Sequence, residues 1–297
     1  MMLRMTAPRA LLAVAVLLGL LSTSLAKAIS VEKLHRRTIT VSNASHDPAR
    51  QSQSAELLAL VIGNSAYPDA DAPLSQMACD AEALANVLRK DGFVVDVVEN
   101  ATHAEMTRAI DRLKSRVGPD STVLLYFGGY GVQSGGQDYM MPVDAKIWRE
   151  SDVRRDGVSV DRLLSEITGS GARIRLAVID ASRRNPYERR FRRYSHGLAS
   201  LQAPANALVL TSTAPNQVVD DRDGRHSVLM TALLKEMNSS ARSIEGIFGD
   251  TRAAVAATTQ NRQIPSVSST LIADVKLAPA LNGTPVSSAD TTPGRRG

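Results

Sequence analysis

Two short loops hold the side chains best placed for chemistry: Gly128-Gly129-Tyr130-Gly131 and Asp180-Ala181-Ser182-Arg183. A serine hydroxyl attacks a carbonyl only when a base within hydrogen-bond reach takes its proton. The Tyr130 phenol is a poor base: a phenol with a pKa of about 10 is ionised in roughly one molecule in a thousand at pH 7. It can donate a hydrogen bond but hardly accept a proton. His196 and His226 lie in the later half of the chain and could in principle serve Ser182, although a single loop histidine is more often just solvated. Asp80 opens an amphipathic stretch, where an aspartate satisfies the free N–H groups of a helix start. Cys79 beside it is expected as a small buried apolar residue, although a thiol at a helix start would also have a lowered pKa.

The elements that must position these residues are legible as alternating apolar runs and amphipathic stretches. Leu57 to Gly63, Phe93 to Val98, Thr122 to Phe127, Ile174 to Ile179, Ala207 to Thr211 and Leu271 to Leu277 read as six strands. The first, LLALVIG, is continuously apolar, as a strand buried on both faces requires. Helical spacing runs through Ala78 to Lys90, His103 to Val117, Val160 to Ile167, Ser227 to Met237 and Ile244 to Ala257. Such alternation implies an α/β fold with a mainly parallel sheet and helices on both faces. Sites in these sheets lie beyond the carboxyl ends of strands. That is where the two loops fall, after the third and fourth strands.

The flanks have a different character. Arg4 and Arg9 precede an apolar run from Ala10 to Leu21, and Ala26-Lys27-Ala28 offers a small-x-small cleavage site. A run of about 12 apolar residues is short against the roughly 20 a membrane span needs. Residues 1–28 therefore read as a secretory signal peptide, with an uncleaved anchor as the rival. The expected product is exported, periplasmic or secreted, with no membrane span left after cleavage. Removing those residues takes away three positive charges and no negative one, so the net charge falls from +5 to +2. Basicity is thus partly a property of the signal, and nucleic acid is not an expected partner. Residues 29–55 read as a polar linker and 280–297 as a disordered tail. One cysteine excludes both an intrachain disulfide and a cysteine-based metal site.

Seven segments, in order, resemble the caspase-like peptidases, specifically the bacterial metacaspase-type branch. They are Ala59-Leu60-Val61-Ile62-Gly63-Asn64 with Tyr67; Asp80-Ala81, with Cys79 in place of the family's Asn; Tyr126 to Gln133, resembling Tyr-x-x-Gly-His-Gly-Val-Gln; Tyr139 to Asp144; Asp180-Ala181-Ser182-Arg183-Arg184-Asn185-Pro186, resembling Asp-Ala-Cys-Arg-x-Asn-Pro; Thr213 to Gln217; and Asp223-Gly224-Arg225. The resemblance runs from about Leu57 to Leu277, sets a caspase-like domain at 56–279 and implies a three-layer caspase-like sandwich. It also implies that Tyr130 and Ser182 stand where the family has its catalytic His and Cys. Loss of base and thiol together removes the activation route, because residues that act as a unit fail as a unit.

The expectation is then a pseudo-peptidase that binds a peptide or protein partner, possibly an active relative, and does not cut it. The alternative is a weakly active hydrolase using Ser182 with a relocated base. Asp80 matches an acid that recognises Lys or Arg in basic-specific members, and Asp223 is expected near the same pocket. Backbone donors near Gly129 and Ser182 could form an oxyanion hole. Arg183, Arg184, Arg189, Arg190, Arg192 and Arg193, interleaved with aromatics, read as a solvated loop or as a patch for an acidic partner. No phosphate-binding loop, dinucleotide fingerprint or His-Glu-x-x-His motif is present, so no cofactor or metal is expected.

Overall fold

The computed structural model describes residues 56–68, 73–187, 197–219, 224–239 and 243–276, all within one unit of the chain, Gln53–Gly297. Its main sheet has six strands in the order β2-β1-β3-β7-β8-β9. They are β1 Leu57–Gly63, β2 Val94–Glu99, β3 Thr122–Gly128, β7 Ile174–Asp180, β8 Ala207–Thr211 and β9 Ser266–Ser269. All neighbours pair in parallel except β9, which runs antiparallel to β8. The helices are α1 Gln76–Lys90, α2 His103–Arg116, α3 Glu150–Asp156, α4 Val160–Gly169, α5 Val228–Asn238 and α6 Ile244–Thr258.

Strand periodicity sorts the core into two layers. Leu60, Ile62, Leu125, Phe127 and Ile179 face one side, against Met106 and Leu113 of α2 and Leu163 of α4. Val61, Leu124, Tyr126, Leu176 and Val178 face the other, against Leu84 of α1, Leu233 of α5 and Phe248 of α6. Because both faces are buried, β1, β3, β7 and β8 carry no polar alternation, and a register slip of one residue would exchange the two cores. The expected α/β sandwich with helices on both faces is the architecture observed.

The helix starts follow local chemistry. Thr102 caps α2, accepting from Glu105 N at 3.3 Å, while the Glu105 carboxylate accepts from Thr102 N at 2.9 Å. Ser227 caps α5 by accepting from Met230 N at 3.0 Å. Edge strand β2 is the most open of the parallel strands, with Val94 exposed and Asp96 bonded to Arg112 at 2.7 Å.

Two expectations fail here. The sixth strand is Ser266–Ser269, not Leu271 to Leu277; past it, Lys276 makes only an isolated bridge with Ser243, and Ile272 is exposed. An edge strand needs backbone pairing and one inward side chain, so a serine-rich segment with Val267 suffices where a more apolar neighbour does not. A second sheet, β4 Gly131–Ser134, β5 Gln137–Met140 and β6 Val158–Ser159, was not anticipated. Its hairpin turns at Gly135 and Gly136, with φ of 60° and 77°, the doubly positive geometry of a two-residue turn that suits the strand twist.

Candidate functional site

The two motif loops meet at the carboxyl ends of β3 and β7. Gly128 pairs with Asp180 at the end of the ladder, and the pairing continues past both strands. Gly129 N donates to Asp180 O at 3.2 Å and Gly131 N to Ala181 O at 2.9 Å. Tyr130 and Ser182 are therefore carried on adjacent, register-locked segments. Gly129 has no room for a side chain, since a Cβ there would lie 2.5 Å from the Tyr67 hydroxyl.

Neither side chain faces water. Tyr130 is 5% exposed and belongs to an apolar cluster with Met77, Val132, Met141 and Tyr187. Its ring meets Tyr67 edge-on, with centroids 4.8 Å apart at 71°. Tyr67 donates to Met141 O at 2.9 Å and accepts from Tyr130 N at 3.1 Å, and burial pushes its phenol pKa well up. Ser182 is 1% exposed, and its Oγ has no hydrogen-bond partner. The backbone donors expected to form an oxyanion hole are spent internally: Gly129 N on Asp180 O, and Ser182 N on Ser212 Oγ at 3.3 Å.

Asp80 corrects an expectation. It lies in the second turn of α1, whose N-cap is Ser75, so it caps nothing. It is fully buried and accepts from Ser227 N at 3.1 Å, and His226 Nδ1 lies 2.7 Å from its other oxygen. Desolvation and the nearby Asp180 charge raise its pKa to about 6, against the hydrogen bonds from His226 and Ser227. Cys79 is half-buried. Asp223 and His196 fall outside the described residues.

Arg183 also departs from expectation. It is 5% exposed, and its Nη1 donates to Gly129 O at 3.4 Å and to Asp180 O. The same nitrogen lies 3.1 Å from Asp180 Oδ1. That contact is an ion pair without hydrogen-bond geometry, since neither Asp180 carboxylate oxygen accepts a hydrogen bond among the described residues. Arg183 is thus an internal counter-ion; Arg184 is exposed, and the other four arginines of the run lie outside the described residues. Tyr187, expected in a solvated stretch, is buried.

Among the described residues no group of three His, Cys, Asp or Glu side chains could hold a metal ion, and no helix is long and apolar enough to cross a membrane.

The caspase domain family model matches residues 56–276. The chain belongs to the caspase domain family. Two curated relatives are similar to part of this caspase domain: the mucosa-associated lymphoid tissue lymphoma translocation protein 1 homolog of Mus musculus and mucosa-associated lymphoid tissue lymphoma translocation protein 1 of Homo sapiens. Each is 35% identical over 98 residues, which is 32% of this chain and 11% of the relative.

A third carboxylate bears on the caspase domain's stability. Asp138 on β5 is 1% exposed and accepts from Ala199 N at 2.7 Å, tying the small sheet to the chain beyond Gly197. Desolvation first, and Asp161 last, raise its pKa to about 6, with the Ala199 hydrogen bond opposing. A raised folded-state pKa means the folded protein binds the proton more tightly than the unfolded chain. The resulting stability is present in acid and lost as pH rises through about 6, a loss of roughly 3 kcal/mol for a shift of about two units. The Asp138 contribution to the melting temperature is therefore expected to fall from about pH 4 to about pH 6, and Asp138→Asn should make that fall shallower in a thermal titration.

Proposed function

We propose that this caspase domain is a metacaspase-like pseudo-peptidase: it binds a peptide or protein partner at the ends of β3 and β7 and does not cut it. The motif order Tyr126 to Gln133 and Asp180 to Pro186 supports the metacaspase branch and the assignment of Tyr130 and Ser182 to the base and nucleophile positions. The observation that carries the reading is the buried Ser182 Oγ, which has no hydrogen-bond partner among the described residues. A thiol in that place could ionise beside an imidazolium, but a hydroxyl needs a base, and a neutral phenol at position 130 is a poor one. The buried Asp80 carboxylate favours a partner that presents a basic side chain. Export through residues 1–28 belongs to the same proposal, and the N-terminus of the secreted protein tests it.

A second reading has one observation in its favour. His226 Nδ1 is held by a carboxylate, the orienting half of a Ser-His-Asp arrangement. On that reading Ser182 would be a slow nucleophile once His226 came within reach. Incubation with fluorogenic Arg, Lys and Asp peptides separates the two. No turnover above the Ser182→Ala background is expected; turnover that Ser182→Ala abolishes would establish the hydrolase instead.

A further inference from the structure

Asp80 and Asp180 are both fully buried, and Asp80 feels the charge of Asp180. Two buried anions this close demand positive charge. At Asp180 the demand is met by Arg183. At Asp80 the neighbour is His226, which supplies charge only when protonated and whose side chain is 25% exposed and so exchanges protons with solvent. Resting on the peptide-binding reading above, we propose that the Asp80–His226 pair is a protonation gate: in mild acid the pair shares a proton and stays closed on itself, and without that proton it yields the Asp80 carboxylate to a basic side chain of the bound partner at neutral pH and above.

The local anchoring lets the ring move without unravelling the fold. Ser227 N bonds the second Asp80 oxygen at 3.1 Å, and the Ser227 hydroxyl separately caps α5. Gln76 Nε2 from the first turn of α1 donates to the carbonyls of Gly224 and His226, both at 3.4 Å. The backbone ahead of α5 therefore stays pinned to α1 when the imidazole swings away. Asp80 then keeps one hydrogen bond and an oxygen free for an incoming guanidinium or ammonium.

The charge balance sets the sign. With one proton the Asp80–His226 pair is neutral, whichever partner carries it, and without that proton the pair has one negative charge. A cationic ligand and the proton thus compete, so acid weakens binding and binding lowers the pH at which the ring titrates; the two effects are one linkage. The other ionisable groups at this end of α1 are Asp180 of β7, Tyr126 of β3, Arg183, Cys79, and Arg225 ahead of α5. Edge strand β2 brings the exposed Glu99 at its carboxyl end. Histidine is the side chain whose charge ordinarily changes between pH 5 and 8, and burial of Asp80 brings its carboxyl into the same window. The pair therefore titrates as a unit.

The test follows the His226 ring by NMR from pH 5 to 8, with and without saturating N-acetyl-arginine amide, using His226→Asn to assign its signals. The expected result is a ring midpoint lowered by about 0.7 unit or more on binding, and a probe affinity roughly fivefold or more weaker at pH 5.5 than at pH 8. A bound probe that leaves the midpoint unmoved overturns the gate and leaves the peptide-binding reading standing. A probe that binds neither the wild type nor His226→Asn at any pH overturns that reading, and the gate with it.

Discussion

Chain carrying Tyr130→His and Ser182→Cys together is expected to hydrolyse fluorogenic peptides, whereas either change alone leaves it inert. A thiol without an imidazole stays mostly protonated, and an imidazole without a thiol has only an unreactive hydroxyl to serve. The gain should therefore appear only in the pair. The scaffold favours it, because the bonds from Gly129 N and Gly131 N hold positions 130 and 182 on adjacent segments. The substitution has a structural cost. Tyr130 gives up its edge contact with Tyr67 and its place in the apolar cluster, a loss of roughly 2–4 kcal/mol including the cavity. A variant that melts cooperatively but turns nothing over would mean that the backbone donors tied up in the ladder matter as much as the missing side chains.

Arg183→Met is expected to be the most damaging single change near the site. Asp180 is completely buried, Arg183 is its ion-pair partner, and the guanidinium also bonds the carbonyls of Gly129 and Asp180. Removing one member of a buried pair leaves an uncompensated charge, at a cost of about 3–5 kcal/mol. For a domain of this size that corresponds to a melting temperature lower by roughly 10 °C or more. Adding Asp180→Asn should recover much of the loss, since the charge that needed a partner is then gone. Calorimetry of the two single variants and the double yields the coupling directly.

Fold and site were legible to different depths. The buried strands announced themselves through unbroken apolar runs, and β8 has the predicted bounds, Ala207–Thr211, because a strand covered on both faces has no other way to be soluble in its own core. Strand β9 was misplaced since an edge is defined by hydrogen bonding, to which side-chain apolarity is a poor guide. The Gly135-Gly136 hairpin carried a recognisable turn signal that went unread. At the site, the loops could be located, but the partners of their side chains could not. Asp80 and His226 are far apart in sequence and meet only because α1 packs on α5; Arg183 looked like one more member of a solvated basic run until the fold turned it inward. A buried charge is satisfied by whatever tertiary structure brings to it, and a linear pattern does not encode that.

The strand order also sets how the molecule must assemble. Thr122 finds Ile174, and Leu57 finds Thr122, across long stretches of intervening chain, so the entropy of closing large loops is spent before the central pairing returns any energy. Folding of such a sheet is slow, and the segments bearing Tyr130 and Ser182 hang from its two innermost strands. They are expected to take shape only after that closure, which makes the candidate site a late product of folding and its formation a reporter of whether the centre of the sheet has formed.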